Sequence, residues 1–181
     1  MFDDFAKEGV AGDARQPLQS IDWRRYVPGQ DASALAALFR ASVSALAASF
    51  YDAAQRAAWA AAADDLADFD ARLARGVTLV AQFDGEFAAF GQLFPRDHVE
   101  MLYVAPAWSR RGLATALLAR LEALAREARS TVLSVDASAV SRLVFERAGF
   151  SLISSELVFR DGVSLPRFHL CKPLLAANFS G

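Results

Sequence analysis

The sequence predicts an α/β layer fold. Its central sheet is mixed, with an antiparallel N-terminal half and a parallel crossover in the middle, flanked by helices. Three observations carry this prediction. Asp84-Gly85 stands between the apolar runs "VTLVAQF" and "EFAAFGQLF", the pattern of a two-residue β-hairpin, and a third strand-like run, "HVEMLYV", follows. That run closes near Pro106 and leads through Gly112 and a leucine-rich helical pattern into another strand, "TVLSVDA", the order a parallel crossover requires. Finally, 54% hydrophobic against 22% charged residues over 181 positions describes one globular domain rather than a disordered chain.

Taken in order, residues 1–19 lack periodicity and are expected to form a flexible tail, as are 176–181. A single domain is expected over 20–175. Residues 21–27, "IDWRRYV", alternate as a first strand closed by Pro28-Gly29. Asp31 occupies an N-cap position before a helix with Leu35, Leu38, Phe39, Val43 and Leu46 at helical spacing. Helical stretches around 53–62 and 64–75 follow, the second closed by Gly76 at the C′ position. The hairpin strands 77–83 and 86–94 come next, then strand 98–104, a helix over about 112–128 and strand 131–137. A short helix, 139–148, ends at Gly149, and two last strands, about 150–160 and 164–172, meet at Asp161-Gly162. There are no internal repeats and no linker that would divide the domain.

Bulk properties exclude several classes. A net charge of −2 argues against a nucleic-acid partner. Arg40, Asp52 and Arg56 interrupt the alanine-rich stretch, so nothing approaches the roughly 20 apolar residues of a membrane span. Cys171 stands alone, which rules out an internal disulfide, and no metal site is expected. No signal peptide opens the chain, so a cytoplasmic location is the expectation.

The stretch "YVAPAWSRRGLATALL" raises a chemical question. A strand that turns directly into a helix exposes the unpaired N–H groups of the first turn, with about half a positive charge from the helix dipole. Gly112 would let an anion approach the backbone, Ala114 is small, Thr115 offers a hydroxyl, and Arg110 and Arg111 add positive charge. The same residues also suit an ordinary turn with solvated arginines. Neither a P-loop nor a dinucleotide-binding glycine pattern is present.

A resemblance bears on that choice. "LYVAPAWSRRGLATALLARLE" resembles the signature of the GNAT superfamily of acyl-CoA N-acyltransferases: a strand, a V-x-P step, (Gln/Arg)-x-x-Gly-x-(Gly/Ala), and a helix with paired leucines. "SAVSRLVFERAGF" resembles the second segment of that superfamily, Asn-x-x-Ala-x-x-Leu-Tyr-Glu-x-x-Gly-Phe, at the matching separation. "YDAAQRAAW", "HVEMLYV" and "FHLCKPL" are further similar to a YafP-like bacterial branch. The resemblance covers about 21–174 and implies a GNAT fold.

The same resemblance implies acetyl-CoA as cosubstrate. Its pyrophosphate would lie on Ser109, Arg110, Arg111, Gly112, Leu113, Ala114 and Thr115. Its thioester would sit along Leu102, Tyr103 and Val104, whose free backbone N–H groups would stabilise an oxyanion, and its pantetheine arm would pass Ser138, Ser141 and Phe145. Three positions depart from the pattern. Ser109 stands at the Gln/Arg position, Ser138 at the Asn, and Phe145 at the Tyr that often protonates the leaving thiolate.

Glu100 and His98 fall where the superfamily carries its catalytic base. Being two apart, they share a face in a regular strand. Glu100 is the preferred base because it lies deeper in the strand, with His98 second. Tyr103 has the opposite parity to Glu100 and is expected to pack against a helix. The acceptor pocket is expected between the 31–62 helices and the closing hairpin, lined by Phe50, Tyr51, Gln55, Trp59 and Glu100. His169 and Cys171 read as structural.

The implied activity is acetyl transfer to the primary amine of a small molecule by direct attack in a ternary complex, with Glu100 and the acidic balance favouring a cationic acceptor. The alternative is a non-catalytic acyl-CoA-binding sensor or assembly module, which the phenylalanine at 145 favours. A third reading is a scaffold that forms a homodimer through its last strands.

Overall fold

One sheet of seven strands organises the chain, and the computed structural model describes residues 20–160 and 162–174. The expected tails at 1–19 and 176–181, and Asp161 of the last turn, lie outside the described residues. The strands are β1 Asp22–Arg25, β2 Val77–Phe83, β3 Glu86–Leu93, β4 His98–Val104, β5 Val132–Ala137, β6 Ser151–Arg160 and β7 Val163–Pro173. They lie in the order β1-β2-β3-β4-β5-β7-β6, and every neighbouring pair is antiparallel except β4 and β5. Helices α1 Ala32–Leu46, α2 Ala53–Ala60 and α3 Leu66–Ala74 separate β1 from β2. Helix α4, Leu113–Glu127, forms the crossover between the parallel pair, and α5, Arg142–Arg147, follows β5. The architecture is therefore the mixed, helix-flanked sheet that the sequence predicts. No helix among the described residues is long and apolar enough to cross a membrane.

Local chemistry accounts for the element boundaries. Asp84 and Gly85 both take left-handed φ values, 47° and 81°, as the tightest hairpin turn demands. Asp31 and Gly76 hold the N-cap and C′ positions expected of them, but neither acts there through capping chemistry. Asp31 precedes α1, but its carboxylate does not cap it. The carboxylate instead accepts from both terminal nitrogens of the Arg24 guanidinium, at 2.6 and 2.9 Å, and from the Val27 N–H at 2.8 Å, which fastens β1 to the start of α1. The bond from Arg24 holds the Asp31 carboxyl below the usual carboxylate range. Gly76 follows the C-cap residue Arg75 but has no left-handed φ. Its requirement is steric, because a Cβ there would lie 2.0 Å from the Leu93 carbonyl oxygen.

The helices cover the sheet from both sides. Leu35 and Phe39 of α1 and Phe69 and Leu73 of α3 pack with Val80, Phe90 and Met101 on one face. Leu118 and Leu121 of α4 and Phe145 of α5 pack with Val99, Leu133, Val135 and Leu170 on the other. Neighbours Val99 and Met101 are of equal parity, yet they enter opposite layers. The register explains this, since Val99 opposes Leu93 and Met101 opposes Gln92, leaving Glu100 as an extra residue in a β-bulge.

Two outcomes follow from these contacts. Gly76→Ala lowers stability by at least about 2 kcal/mol in urea unfolding, because the added methyl must displace backbone. Asp31→Asn lowers it by about 1–2 kcal/mol at pH 7, the lower end of the range for charged hydrogen bonds because Arg24 is partly exposed. The Asp31 contribution is present above the unfolded carboxylate range, near pH 4, and is lost as the pH falls through the depressed native value. The gap between wild type and Asp31→Asn therefore closes in unfolding curves taken at successively lower pH.

Candidate active site

The parallel pairing of β4 with β5 is short. It covers His98 against Ser134 and Val99 against Val135, after which the strands part. Ala105 N–H donates to Ala88 O on β3 at 2.8 Å, so by the alternation of an extended strand the N–H groups of Leu102 and Val104 point the other way, into the opening. A cavity of about 1110 Å³ occupies this opening and continues on either side of it.

At one end lies the stretch that turns β4 into α4. Ser109, Arg110, Gly112, Leu113, Ala114 and Thr115 all line the cavity. Arg110 and Gly112 hold left-handed φ values of 57° and 86°, which bends the backbone sharply before the helix. The first helical bond that reaches back to Gly112 O comes from Ala116, so the N–H groups of Leu113, Ala114 and Thr115 precede the ladder. This concave row of donors suits an anion. Arg111 turns away from it, its guanidinium 5.2 Å above the Trp108 ring, and does not line the cavity.

Across the opening, Ser138 and Ser141 line the cavity but are committed to each other. Each hydroxyl accepts the other's backbone N–H, at 3.1 and 3.2 Å, and the two hydroxyls are 3.1 Å apart. Phe145 borders the cavity with 1% of its surface exposed and meets Phe150 edge-on at 5.2 Å.

On the face covered by α1, the bulge at Glu100 changes the parity expected for β4. His98, Glu100 and Tyr103 all come to the cavity from this one face, whereas a regular strand would set Tyr103 opposite Glu100. Tyr103 packs against helical residues as expected, edge-on to Phe39 at 4.7 Å, with its hydroxyl accepting from Trp59 Nε1 at 3.2 Å. Burial pushes that hydroxyl up to about 12, so it stays protonated.

His98 Nδ1 lies 2.9 Å from Ser134 Oγ, whose hydroxyl donates to Asp97 O at 3.2 Å. The serine oxygen is then the acceptor for Nδ1–H, and Nε2 is left facing Glu100 Oε2 at 3.9 Å. His98 is the more sheltered of the two. Its side chain is 19% exposed against 38% for Glu100, the reverse of the depth expected from position in the strand.

The expected acceptor wall is partly present. Phe50, Tyr51 and Trp59 line the cavity, while Gln55 does not. The Gln55 amide completes the capping box of α2 with Asp52 and donates to Ser164 O at 2.8 Å. Tyr51 is 3% exposed, and its hydroxyl accepts from Ala139 N–H at 2.9 Å and donates to Pro166 O at 3.3 Å. Burial raises its pKa.

Several lining residues went unnoticed in the sequence: Arg72, Asp136, Arg160 and Arg167, together with Ser134 behind His98. Ser134 and Asp136 had a readable signal, since they are the polar positions of an alternating strand. The arginines come from distant elements and had none. Asp136 accepts from His169 Nδ1 at 3.0 Å, and His169 Nε2 lies 3.6 Å from Cys171 Sγ. Burial, then the Asp136 carboxylate, pushes the Cys171 thiol up, which disfavours its thiolate.

The Tyr51 hydroxyl joins three segments, and Tyr51→Phe removes the acceptor of a partly buried N–H. The expected loss is about 1–2 kcal/mol of unfolding free energy, measured by urea titration.

Comparison with known proteins gives consistent matches. Residues 43–170 match the model of the acetyltransferase (GNAT) domain family. The chain is 31% identical over 153 residues to the uncharacterized N-acetyltransferase YafP of Escherichia coli (strain K12), across 84% of this chain and 96% of that protein. The solved GCN5-related N-acetyltransferase of Rhodopseudomonas palustris is 37% identical with a TM-score of 0.83, over 86% of this chain and 96% of that one. The PaiA N-acetyltransferase of Thermoplasma acidophilum, solved in complex with coenzyme A, shares the fold with a TM-score of 0.71 at 16% identity, over 86% and 99% of the two chains.

Proposed function

Because the chain belongs to the GNAT acetyltransferase family, we propose that it moves an acetyl group from acetyl-CoA to the primary amine of a small molecule, by direct attack in a ternary complex. The observation that carries this reading is a single cavity joining the donor row at Gly112 to the His98–Glu100 pair through the opening between β4 and β5.

The residues fit acetyl-CoA. The N–H groups of Leu113, Ala114 and Thr115, with the Arg110 charge beside them, receive the pyrophosphate. Leu102 and Val104 offer N–H groups to the thioester carbonyl oxygen, which gains negative charge as the amine attacks. His98 Nε2 takes the amine proton, Ser134 holds the ring in the required tautomer, and Glu100 stabilises the resulting imidazolium. The new C–N bond forms as the C–S bond breaks. Phe145 has no proton to give, so the departing thiolate takes one from water.

Phe145 also favours a second reading, a module that binds acyl-CoA without turning it over. Calorimetry with acetyl-CoA and release of free CoA thiol with a panel of amines separate the two. Binding with turnover supports the enzyme, binding without turnover on any amine supports the module, and no binding removes both.

For the enzyme, His98→Ala is expected to lower kcat by about 100-fold or more with acetyl-CoA affinity unchanged, and to abolish the rising limb of the pH–rate profile. Glu100→Gln has a smaller effect, about 10-fold. Ser134→Ala displaces the limb and Ser134→Thr restores it. An unaltered profile in all three variants assigns the base elsewhere.

A further inference from the structure

We propose that the acceptor carries an anionic oxygen group beside its amine, and that Arg72, Arg160 and the Tyr103 hydroxyl recognise that group. This inference rests on the acetyltransferase reading above and names the class of molecule that enters the acceptor side.

Arg72 of α3 and Arg160 at the end of β6 line the cavity on the side that holds Trp59 and Tyr103. Among the described residues neither makes an ion pair, whereas several other arginines do. Arg24 bonds Asp31, Arg40 faces Asp64, Arg142 bonds Glu146, and Arg167 is held by Glu156 at 2.6 Å and by Asp136 at 3.7 Å. Arg72 gives one hydrogen bond, to Ala62 O at 3.1 Å, out of the five donors a guanidinium carries.

Tyr103 supplies a third donor. Its oxygen is occupied by the Trp59 N–H, and its own proton has no acceptor among the described residues. Both arginines act electrostatically on this hydroxyl, and Glu100 acts with the opposite sign, so all four groups surround one region.

The carboxylates available there are few. Glu100 and Asp136 line the cavity, and Asp136 is already engaged by His169 and Arg167. A region with two uncompensated guanidinium groups and a free hydroxyl attracts an anion and repels a second positive charge. The net charge of the whole chain suggested a cationic acceptor, and the local charge points the opposite way. An amine with an attached oxyanion satisfies both halves of the cavity: the anion sits among Arg72, Arg160 and Tyr103, and the amine faces His98 and Glu100. A carboxylate and a phosphonate share the required chemistry.

The test measures CoA thiol release with L-amino acids, their carboxamides, the aminophosphonate analogue of the best of them, and 1,4-diaminobutane. In the wild type, kcat/KM is expected to be at least about 10-fold higher for an anionic acceptor than for its carboxamide, with the phosphonate arm separating the two kinds of oxyanion. That ratio is expected to fall towards one in Arg72→Gln/Arg160→Gln, with acetyl-CoA affinity unchanged. Equal or better turnover of carboxamides or the diamine overturns the anion site and leaves acetyl transfer standing. Loss of acetyl-CoA affinity in the double variant assigns the arginines to the cosubstrate and also overturns it. If no acceptor is turned over, the acetyltransferase reading fails, and calorimetry of the same pairs on CoA-saturated protein decides the site. Tighter binding of the anionic member supports it; no difference, including no binding of either, overturns it.

Discussion

One surplus residue on β4 governs the arrangement of this molecule. Val99 is 2% exposed and sits in the layer under α4 and α5, whereas Met101 is 5% exposed and sits in the layer under α1 and α3. Only a bulge lets both be buried on opposite sides of the same strand. Sliding it by a residue would expose one of them, at about 2 kcal/mol for a large apolar side chain. The two apolar layers thus fix the bulge, and the bulge decides which side chains share a face.

The opening between β4 and β5 begins at the same place. Past Val99 the strand is bound to β3 alone, so its other edge is free to receive an extended ligand. A mixed sheet has neighbours on both edges of its inner strands, and a gap there is stable only because α4 and α5 close one face beneath it. Leu118, Leu121 and Phe145 keep that layer continuous across the divergence. Phe145 belongs both to that layer and to the cavity wall, where apolar residues stand among polar ones such as His98, Glu100 and Asp136.

Much of this was legible in the sequence. Asp84-Gly85, the bounds of β4 and the left-handed Gly112 are local features, and local chemistry specifies them. The bulge was not legible, because a two-residue period assumes a regular strand, and the misfit belongs to the pairing of β4 with β3. Gly76 occupied the right position for a different reason, since its neighbour Leu93 lies on another element. Gln55 and Arg111 were of suitable type and place, but a nearer partner claims each, the Ser164 carbonyl and the Trp108 ring. Ser134 needed only the alternation of β5 to be noticed, while Arg72 and Arg160 required the closed fold.

Arg160 differs from its companion in how it is held. It ends an exposed strand, and its side chain makes no hydrogen bond or ion pair among the described residues, whereas the Arg72 guanidinium donates to Ala62 O at 3.1 Å. Of the two proposed contacts, one is therefore tied to the fold through its guanidinium and the other through its backbone alone.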